Sequence, residues 1–588
     1  MKPSKEQSRK SRRAAARPVV PAGPTAEQRR TVFWPYALAF AIALAAAFEV
    51  YAPSLNGPFL FDDQILPFGR PDFPFDSLRA WISGVRPLLM FTYWINYQLS
   101  GPHTFSYHAF NVLFHGMVSI LVFFVMRKIL EWAQVDGVRR DVLAVFAGAL
   151  FLLHPVNSES VGYVASRSEN LSVLFFLGAF ALFLYRRSAE ITWTRTALVL
   201  LVFAAAVLSK EHTVVLLALL LLTDYFWNPP FSFAGIRRNW RLYAPVSIGG
   251  ALAVVYLARL LRGATSAGFS IKEFTWYQYF FTECRAFWLY IRLFLFPAGL
   301  RIDYDYPVSH TILEHGAVVG LMAILLAAGT AFYFRRRYPL ASYGFFAYVI
   351  LMAPTSSFVP IADPVAERRL YLSMIGLLFI VAEFLRRVDV RQPRWMAAMA
   401  GVLLIAGIAT YNRNFVWSDK VVLWEDTAAK SPGKSRVEFH LAQAYYEHSE
   451  CDKALPHYER SAALDPTDYR LFIDWGLAYD CLNQPEQALA KFKHAASMKA
   501  TAHVYSQIGM VYGKQGKNAE ALDALATAEK IDPSFEMTYV YRGGVRISEG
   551  NPVAAVEDFR HALVLNPRNQ PARQALAMME AQQNMARP

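Results

Sequence analysis

Two adjacent carboxylates, Asp62 and Asp63, are the residues of this sequence best suited to acid–base chemistry. They end the segment Phe59-Leu60-Phe61-Asp62-Asp63, shortly after the first long apolar run at 33–51. A carboxylate held among aromatic side chains beside a membrane can take the proton from a hydroxyl group as that group attacks an electrophile. The alternative interpretation is a solvated acidic turn without a chemical role. The pair is therefore a candidate catalytic site, and the choice of base stays open between the two residues.

Three further groups of ionisable residues stand at the ends of apolar runs. They are His154, Glu159, Arg167 and Glu169; Lys210, Glu211 and His212; and Glu367, Arg368 and Arg369. Charged side chains at membrane depth are costly and often mark binding or catalytic sites. Each one alone is equally well explained as an anchor at the membrane surface. All three groups are predicted on the same side of the membrane as the two aspartates, which favours one site with these residues as its substrate-binding part.

Eleven apolar runs are predicted to cross a membrane as helices and to position these groups. The runs occupy 33–51, 110–126, 142–154, 171–185, 195–209, 213–227, 242–260, 312–334, 341–358, 370–385 and 395–411. Clusters of Arg and Lys fill several short loops between the runs, and such clusters face the cytoplasm. With the N-terminus in the cytoplasm, eleven spans place every cluster inside and the sequence after Tyr411 outside.

The segment 276–295 is apolar and aromatic, yet a further span here would move a basic cluster to the outer side. It carries Glu283, Arg285 and Arg292 among Trp and Tyr residues, which is the composition of a helix lying in the membrane interface. We therefore predict that this segment lies on the outer face.

The composition indicates a membrane protein and argues against a nucleic-acid-binding one. Of the 588 residues, 55% are hydrophobic and only 18% are charged, whereas about a quarter of the residues are charged in a typical soluble protein. The net charge of +13 comes largely from a Pro- and Ala-rich basic arm at 1–31 and from the short loops. That placement is typical of topology signals and of contact with anionic membrane lipid. No nucleic-acid partner is predicted.

From about residue 435 the sequence repeats with a period of about 34 residues. Small residues at fixed positions let paired helices approach, aromatic residues fill the gap, and a proline ends most repeats. This pattern predicts about four tetratricopeptide repeats, whose concave groove binds an extended peptide or a partner protein; a mere spacer is the alternative. Cys451 and Cys481 fall in the first two repeats, and we expect free thiols because repeat cores are stable without bridges.

The sequence resembles the transmembrane and tetratricopeptide-repeat-containing O-mannosyltransferases. The matching motifs, in order, are Phe61-Asp62-Asp63, Tyr107-His108-Ala109-Phe110-Asn111-Val112-Leu113-Phe114-His115, His154-Pro155-Val156-Asn157-Ser158-Glu159-Ser160-Val161, Ser166-Arg167-Ser168-Glu169, Lys210-Glu211-His212, Phe294-Leu295-Phe296-Pro297 with Asp303-Tyr304, and Glu367-Arg368-Arg369-Leu370-Tyr371-Leu372. The likeness covers nearly the whole chain, the repeats included. It places the chain beside the GT-C membrane glycosyltransferases, which use sugars linked to polyprenyl phosphate.

The resemblance implies transfer of a sugar, mannose or another hexose, from a polyprenyl-phosphate donor to a hydroxyl acceptor such as a protein Ser or Thr. The phosphate leaves as an anion without a general acid, so one carboxylate of the pair suffices as base and a single displacement inverts the anomeric carbon. Arg167, Lys210, Arg368 and Arg369 are the candidate cations for the leaving phosphate.

The sequence leaves open whether the site holds a metal ion and whether the protein has another function. The second aspartate would either orient the first or hold a divalent cation, which His154 and Glu159 would join. The alternative functions are another lipid-linked-sugar transferase acting on lipid or glycan, and a non-enzymatic membrane-anchored repeat scaffold. A transporter or flippase would predict paired, related halves, and the sequence has none that we detect.

The predicted fold is all-α: a polytopic membrane helical bundle, GT-C-like with about 11 transmembrane helices, followed by an α-solenoid. The predicted divisions are a disordered basic cytoplasmic arm at 1–31, a GT-C-like transmembrane domain at 32–411, a linker at 412–434 and the tetratricopeptide repeats at 435–580. The basic arm and compact size are typical of a bacterial protein. We therefore expect an integral protein of a bacterial inner membrane, with the N-terminus cytoplasmic and the repeat tail periplasmic.

Overall fold

The computed structural model describes residues 26–70, 73–263, 268–269, 271 and 273–585. Within these residues all regular structure is helical, which confirms the predicted all-α class. A helical body is followed by a solenoid of helix pairs. Residues 1–25, most of the predicted basic arm, lie outside the described residues, and the first helix begins at Ala26.

The body contains sixteen of the α-helices that the structure describes. They are α1 Ala26–Tyr51, α2 Leu78–Ile82, α3 Pro87–Ser100, α4 Thr104–Trp132, α5 Gly137–Leu153, α6 Ser158–Gly162, α7 Arg167–Leu184, α8 Trp193–Val207, α9 Leu216–Trp227, α10 Ala234–Arg238, α11 Trp240–Gly263, α12 Trp276–Leu295, α13 Ala317–Tyr333, α14 Pro339–Met352, α15 Leu370–Leu385 and α16 Pro393–Val416. Each of the eleven predicted runs coincides with one long helix, and α12 is the segment predicted to lie in the interface.

Several helices are long and apolar enough to cross a membrane. Five meet both criteria in the described residues, at Ala37–Ser54, Thr104–Trp132, Val164–Leu184, Glu314–Tyr333 and Pro393–Val416. The pair Gly137–Leu153 and Pro155–Gly162, bent by 48°, makes six if it is one broken span. Together with the apolar composition, these helices indicate an integral membrane protein; the number of spans stays a prediction.

The body is held together by close helix contacts and by a few buried hydrogen bonds. A Cβ on Gly344 would stand 2.4 Å from the carbonyl oxygen of Gly376, so α14 and α15 approach each other as only small residues allow. On α4, Nδ1 of His115 lies 2.8 Å from the Tyr371 hydroxyl on α15, and its Nε2 lies 3.0 Å from the carbonyl oxygen of Leu152 on α5. This histidine therefore ties three helices of the body together.

The tail consists of α17 Lys420–Lys430, then the pairs α18 Ser435–Glu447 with α19 Cys451–Leu464, α20 Tyr469–Cys481 with α21 Pro485–Met498, α22 Ala502–Lys514 with α23 Asn518–Ile531, and α24 Glu536–Ser548 with α25 Pro552–Leu565, and a last helix α26 Gln570–Met585. Local sequence fixes the starts of these helices: Asp468 and Thr501 accept backbone N–H groups as N-caps of α20 and α22. The first helices of successive pairs line the concave side.

The segment predicted as a linker at 412–434 is mostly helical, because α16 continues to Val416 and α17 packs on α18. One expectation for the tail is corrected by the structure. The prediction of free thiols is wrong: Cys451 and Cys481 form a disulfide with Cα atoms 6.4 Å apart. Stacking places the start of the second helix of repeat one beside the end of the first helix of repeat two, within bridging distance.

Candidate functional site

The two adjacent aspartates lie in one turn, Phe61–Ile65, and have different surroundings. Asp63 is buried, and its Oδ2 accepts the N–H of Leu60 at 2.9 Å while its Oδ1 accepts the N–H of Ala165 at 2.6 Å. Burial raises the pKa of Asp63 to about 8, although the hydrogen bonds from these two backbone N–H groups lower it. Both oxygens are thus engaged by backbone, and Asp63 holds the turn against the loop before α7.

Asp62 instead presents its carboxylate to the outside. The side chain is exposed, and the carboxylate has no hydrogen-bond or ion-pair partner among the described residues. Its backbone N–H donates to the Tyr163 hydroxyl at 2.7 Å. Phe61 has a φ of 45°, a conformation that is strained for a residue with a side chain and is typical of functional sites. The turn is therefore built to aim one carboxylate outward.

The tail supplies the other wall of this site. The Phe61 ring lies 5.1 Å from that of His440 and 6.1 Å from that of Trp424, and the Arg436 guanidinium stands 5.2 Å above it. Asp62 faces a cavity of about 340 Å³ between the turn and the first repeats. Its other polar lining residues are Gln64, Lys420, His440, Gln443, Glu447 and Arg470. The carboxylate predicted at a membrane surface thus lies at the entrance to the repeats.

A second cavity of about 510 Å³ continues along the concave side of the repeats. It shares Gln64, His440, Gln443 and Arg470 with the first cavity, so the two are contiguous. We call them together the acceptor groove. It runs from Asp62 along repeats one and two as far as His503 on α22.

Among the predicted cations, Arg368 is the one that keeps part of its guanidinium exposed beside Tyr163. Its Nη1 pairs with Glu159, which also accepts the Arg368 backbone N–H at 2.9 Å. Glu159 is fully buried, whereas the Arg368 side chain is 28% exposed, and its Nη2 has no partner among the described residues. Tyr163 interacts electrostatically with Arg368 as well as with the aspartates, which connects the cation to the carboxylate site.

Two further ion pairs adjoin Arg368. Lys210 pairs with Glu169, and Nε2 of His212 lies 3.5 Å from the same carboxylate. Glu211 accepts two N–H groups of Arg86, from Nε at 3.0 Å and from Nη2 at 2.8 Å. Lys210 and Glu169 both interact electrostatically with Arg368. The structure therefore brings residues from all three predicted groups of ionisable residues together as a row of ion pairs. Some N–H groups of the cations in this row have no partner among the described residues.

The remaining predicted residues are engaged inside the protein. Fully buried Arg167 donates to Asn111, Asn96, Thr92 and the carbonyl of Tyr107. Buried Arg369 donates to the Tyr279 hydroxyl, to Glu283 and to the carbonyls of Asp363 and Pro364. Glu367 accepts the N–H of Arg301 at 2.6 Å and the hydroxyl of Tyr304 at 2.8 Å. The partners of these residues lie inside the protein, so the residues fix the loops that carry the site.

The side chains suggested for a divalent cation do not assemble as ligands. His154 bonds through Nε2 to the carbonyl of Phe294 at 2.9 Å and through Nδ1 to the N–H of Val156, and Glu159 is taken by Arg368. In the described residues no group of three or more His, Cys, Asp or Glu side chains is placed to hold a metal ion.

Several site residues were missed by reasoning from sequence alone. Arg86 carried a usable signal, because a basic residue in a predicted outer loop is an exception to the positive-inside rule. Tyr163 is an ordinary aromatic residue in the sequence, and Trp424 and His440 stand in the linker and the first repeat. Their place beside Phe61 depends on how the tail docks, which no local pattern encodes.

Comparison with known proteins gives one family match and several relatives. The family model of the tetratricopeptide repeat matches residues 502–535. The chain is 24% identical over 543 residues to the protein O-mannosyl-transferase TMTC3 of Mus musculus. This match covers 82% of the present chain and 57% of the mouse protein. It is 25% identical over 454 residues to the protein O-mannosyl-transferase F38B6.6 of Caenorhabditis elegans, covering 72% and 62%.

A shorter match, 31% identical over 247 residues, is with the protein O-mannosyl-transferase Tmtc1 of Drosophila melanogaster, covering 39% of this chain and 26% of that protein. The chain thus spans less than two thirds of the length of these relatives. The chain is therefore similar, over most of its length, to proteins named protein O-mannosyl-transferases, and residues 502–535 match the tetratricopeptide repeat.

Proposed function

We propose that this chain is a membrane glycosyltransferase that moves a sugar, mannose or another hexose, from a polyprenyl-phosphate donor to the hydroxyl of a serine or threonine in a polypeptide. The observation that carries the proposal is the unpaired carboxylate of Asp62 at the junction of the helical body and the acceptor groove. Relatives named protein O-mannosyl-transferases support the class of reaction.

In the proposed reaction Asp62 is the general base. It takes the proton of the acceptor hydroxyl while the hydroxyl oxygen forms a bond to the anomeric carbon of the sugar. The bond between that carbon and the phosphate oxygen breaks, and its electron pair leaves with the phosphate. Attack opposite the leaving group inverts the anomeric centre. Asp63 is a positioning residue that holds the turn.

The leaving phosphate gains negative charge, which the row of ion pairs is suited to stabilise. Arg368 keeps Nη2 free beside Tyr163, and Lys210 and Arg86 lie in the neighbouring pairs. A charge-assisted N–H bond to phosphate strengthens as the phosphate charge develops, so it stabilises the transition state more than the bound donor. The polyprenyl chain would remain in the membrane, and the acceptor would enter along the repeats on the periplasmic or lumenal side.

Purified full-length chain in lipid nanodiscs, incubated with several polyprenyl-phosphate sugars and Ser/Thr-containing peptides, tests the proposal by mass spectrometry. We expect a peptide that carries one hexose with the wild-type chain and none with Asp62→Asn. A modified lipid or glycan without any modified peptide would assign another lipid-linked-sugar transferase. Absence of transfer from every donor by folded wild-type protein would contradict an enzymatic role and favour a scaffold.

A further inference from the structure

The acceptor groove contains a second carboxylate that the protein leaves unpaired. Asp474 on α20 lines the larger cavity, and its side chain has no hydrogen-bond or ion-pair partner in the part of the chain that the structure describes. Asp474 is partly buried, and withdrawing a carboxylate from water without a partner is costly, so this group is available to a ligand.

The cations around Asp474 are already neutralised by other carboxylates. Arg470 is held by Asp468, with Nη2 at 2.7 Å from Oδ2, and Arg436 is held by Asp303 and Asp363. Lys420 is likewise paired with Glu447, so each basic side chain of the groove wall already has a carboxylate other than Asp474 as its ion-pair partner.

The remaining titratable groups make the surroundings of Asp474 negative. Asp468 and Glu447 both raise its pKa, and only Arg470 opposes them. Burial lowers the pKa of His440 to about 4 and also lowers the pKa of His503, so both imidazoles are neutral at pH 7. The groove therefore favours a cation beside Asp474.

We propose that Asp474 binds the side chain of a lysine or arginine in the acceptor polypeptide, near the serine or threonine that Asp62 deprotonates. The inference rests on the proposed function and specifies which acceptors are used. Arg470 lines both cavities, and Asp474 lies four residues, about 6 Å, further along α20. Because an extended chain advances about 3.3 Å per residue, the basic residue lies within a few residues of the modified hydroxyl.

The pH dependence of this contact follows from the same surroundings. Burial is the main cause that raises the pKa of Asp474 to about 7. A cationic peptide binds the ionised carboxylate, so its affinity rises as the pH increases through this pKa. His440 stays neutral between pH 6 and 8, because burial lowers its pKa to about 4. Loss of a proton from His503 as the pH rises would also favour a bound cation, so the histidines add no change of opposite sign.

Peptides that differ at one position near the acceptor residue test the proposal with the full-length chain in nanodiscs. The position carries Lys, Gln or Glu. For the wild-type chain we expect kcat/KM for the Lys peptide to exceed that for the Gln peptide by about tenfold, the size of one hydrogen-bonded charge pair. Asp474→Asn should abolish this preference, and Asp474→Lys should favour the Glu peptide. Asp523→Asn, an exposed site on α23, is the matched control and should keep the Lys preference.

Binding of fluorescent peptides, measured by polarisation without any sugar donor, separates this inference from the proposed reaction. Asp474-dependent binding of the Lys peptide in a chain that transfers no sugar would support the groove inference and refute the reaction. Transfer that continues with equal kcat/KM and equal binding for all three peptides in the wild-type chain would overturn the role of Asp474.

Discussion

Neighbouring residues of the same type perform different tasks in this protein because their surroundings differ. Asp63 gives both carboxylate oxygens to backbone N–H groups, whereas the carboxylate of Asp62 faces the acceptor groove without a partner. The same contrast separates Arg368, which is partly exposed, from Arg369, which is buried among acceptors. Substituting each member of such a pair in turn therefore distinguishes a chemical role from a structural one, and the neighbouring residue serves as the control.

Asp62→Asn is expected to lower turnover roughly a hundredfold or more while the protein folds and inserts normally, because it removes a general base. Asp63→Asn places an amide N–H against a backbone donor, and should cost about 1–3 kcal/mol of stability in the turn. Turnover and thermal unfolding, measured on both variants, check these outcomes. Normal turnover of Asp62→Asn with reduced turnover of a stably folded Asp63→Asn would reverse the two roles.

Arg368→Ala is expected to raise the KM for the lipid-linked donor about tenfold with little change for the acceptor, because one charge-assisted contact to phosphate is lost. Arg369→Ala should instead destabilise the fold by about 3 kcal/mol, because it leaves the buried carboxylate of Glu283 without its cation. Kinetics with varied donor and acceptor, together with thermal unfolding, distinguish the two. An Arg368 variant altered only in acceptor kinetics would place this arginine on the acceptor side.

At the scale of elements, the first repeat is both a part of the solenoid and a wall of the site. Lys434 and Arg436, at the start of α18, reach back to the body and pair with Asp303, which is nearly fully buried. The same helix carries His440, which contacts Phe61 of the turn Phe61–Ile65. Docking of the repeats and placement of Asp62 therefore depend on one interface.

Asp303→Asn should weaken this docking by about 2 kcal/mol, because Lys434 loses its closest partner and Arg436 keeps only Asp363. We expect faster hydrogen exchange in the turn Phe61–Ile65 and in α17, with lower turnover. Asp305→Asn is the control, since Asp305 is exposed and forms no ion pair with the described residues. Equal exchange in both variants would show that this ion pair does not fix the tail.

The disulfide between Cys451 and Cys481 closes a loop with a sequence separation of 30. Such a bridge reduces the conformational entropy of the unfolded chain and contributes about 3 kcal/mol to the free energy of unfolding. Cys451→Ser combined with Cys481→Ser should lower the unfolding temperature of the tail, and a reductant should do the same to the wild-type chain. Cys284→Ser, which removes the buried free thiol of the body, should leave the response to reductant intact. A reductant without effect on the tail would mean that the bridge does not form in the protein.

At the scale of the whole molecule, the basic loops collect at one end of the body. Arg139 donates to the carbonyl of Arg386 at 3.0 Å, and Arg391 pairs with Asp136. The 17-residue helix α5 separates this end from the loop that carries Glu159, a length of about 25 Å. The turn Phe61–Ile65 contacts the tail, so both lie on the same side, which requires an even number of crossings between them. Eleven spans meet this requirement, and the number of spans stays a prediction.

A protease added to the outer face of cells stripped of their outer membrane should digest the tail beyond Trp417 and spare the N-terminal arm. This outcome follows if the basic loops face the cytoplasm and the turn Phe61–Ile65 lies on the opposite side. Immunoblots against tags at both ends report the digestion, and lysed cells serve as the positive control. A protected tail in intact cells would place Asp62 and the repeats in the cytoplasm and overturn the proposed donor face.

Local sequence alone determined the elements of this protein. Long apolar runs are unstable in water, so the positions of the eleven long helices could be predicted from hydropathy. Hydropathy also located α12, whose place in the membrane interface stays a prediction. The small and aromatic residues of the tail repeat at a fixed spacing, which determined the helix pairs. Ionisable residues at the ends of apolar runs identified the neighbourhood of the site, because charges there are too costly to be incidental.

Only the tertiary structure decided which of these ionisable residues are available for chemistry. In the sequence Asp62 stands beside Asp63, and Arg368 beside Arg369, and nothing shows which member of each pair is available for chemistry. Partners far along the chain decide this: the N–H of Ala165 donates to Asp63, and Arg369 donates to Glu283. The disulfide and the acceptor groove likewise depend on how helices stack and where the tail docks. Burial and hydrogen bonding are properties of three-dimensional neighbours, and residue type and spacing do not encode them.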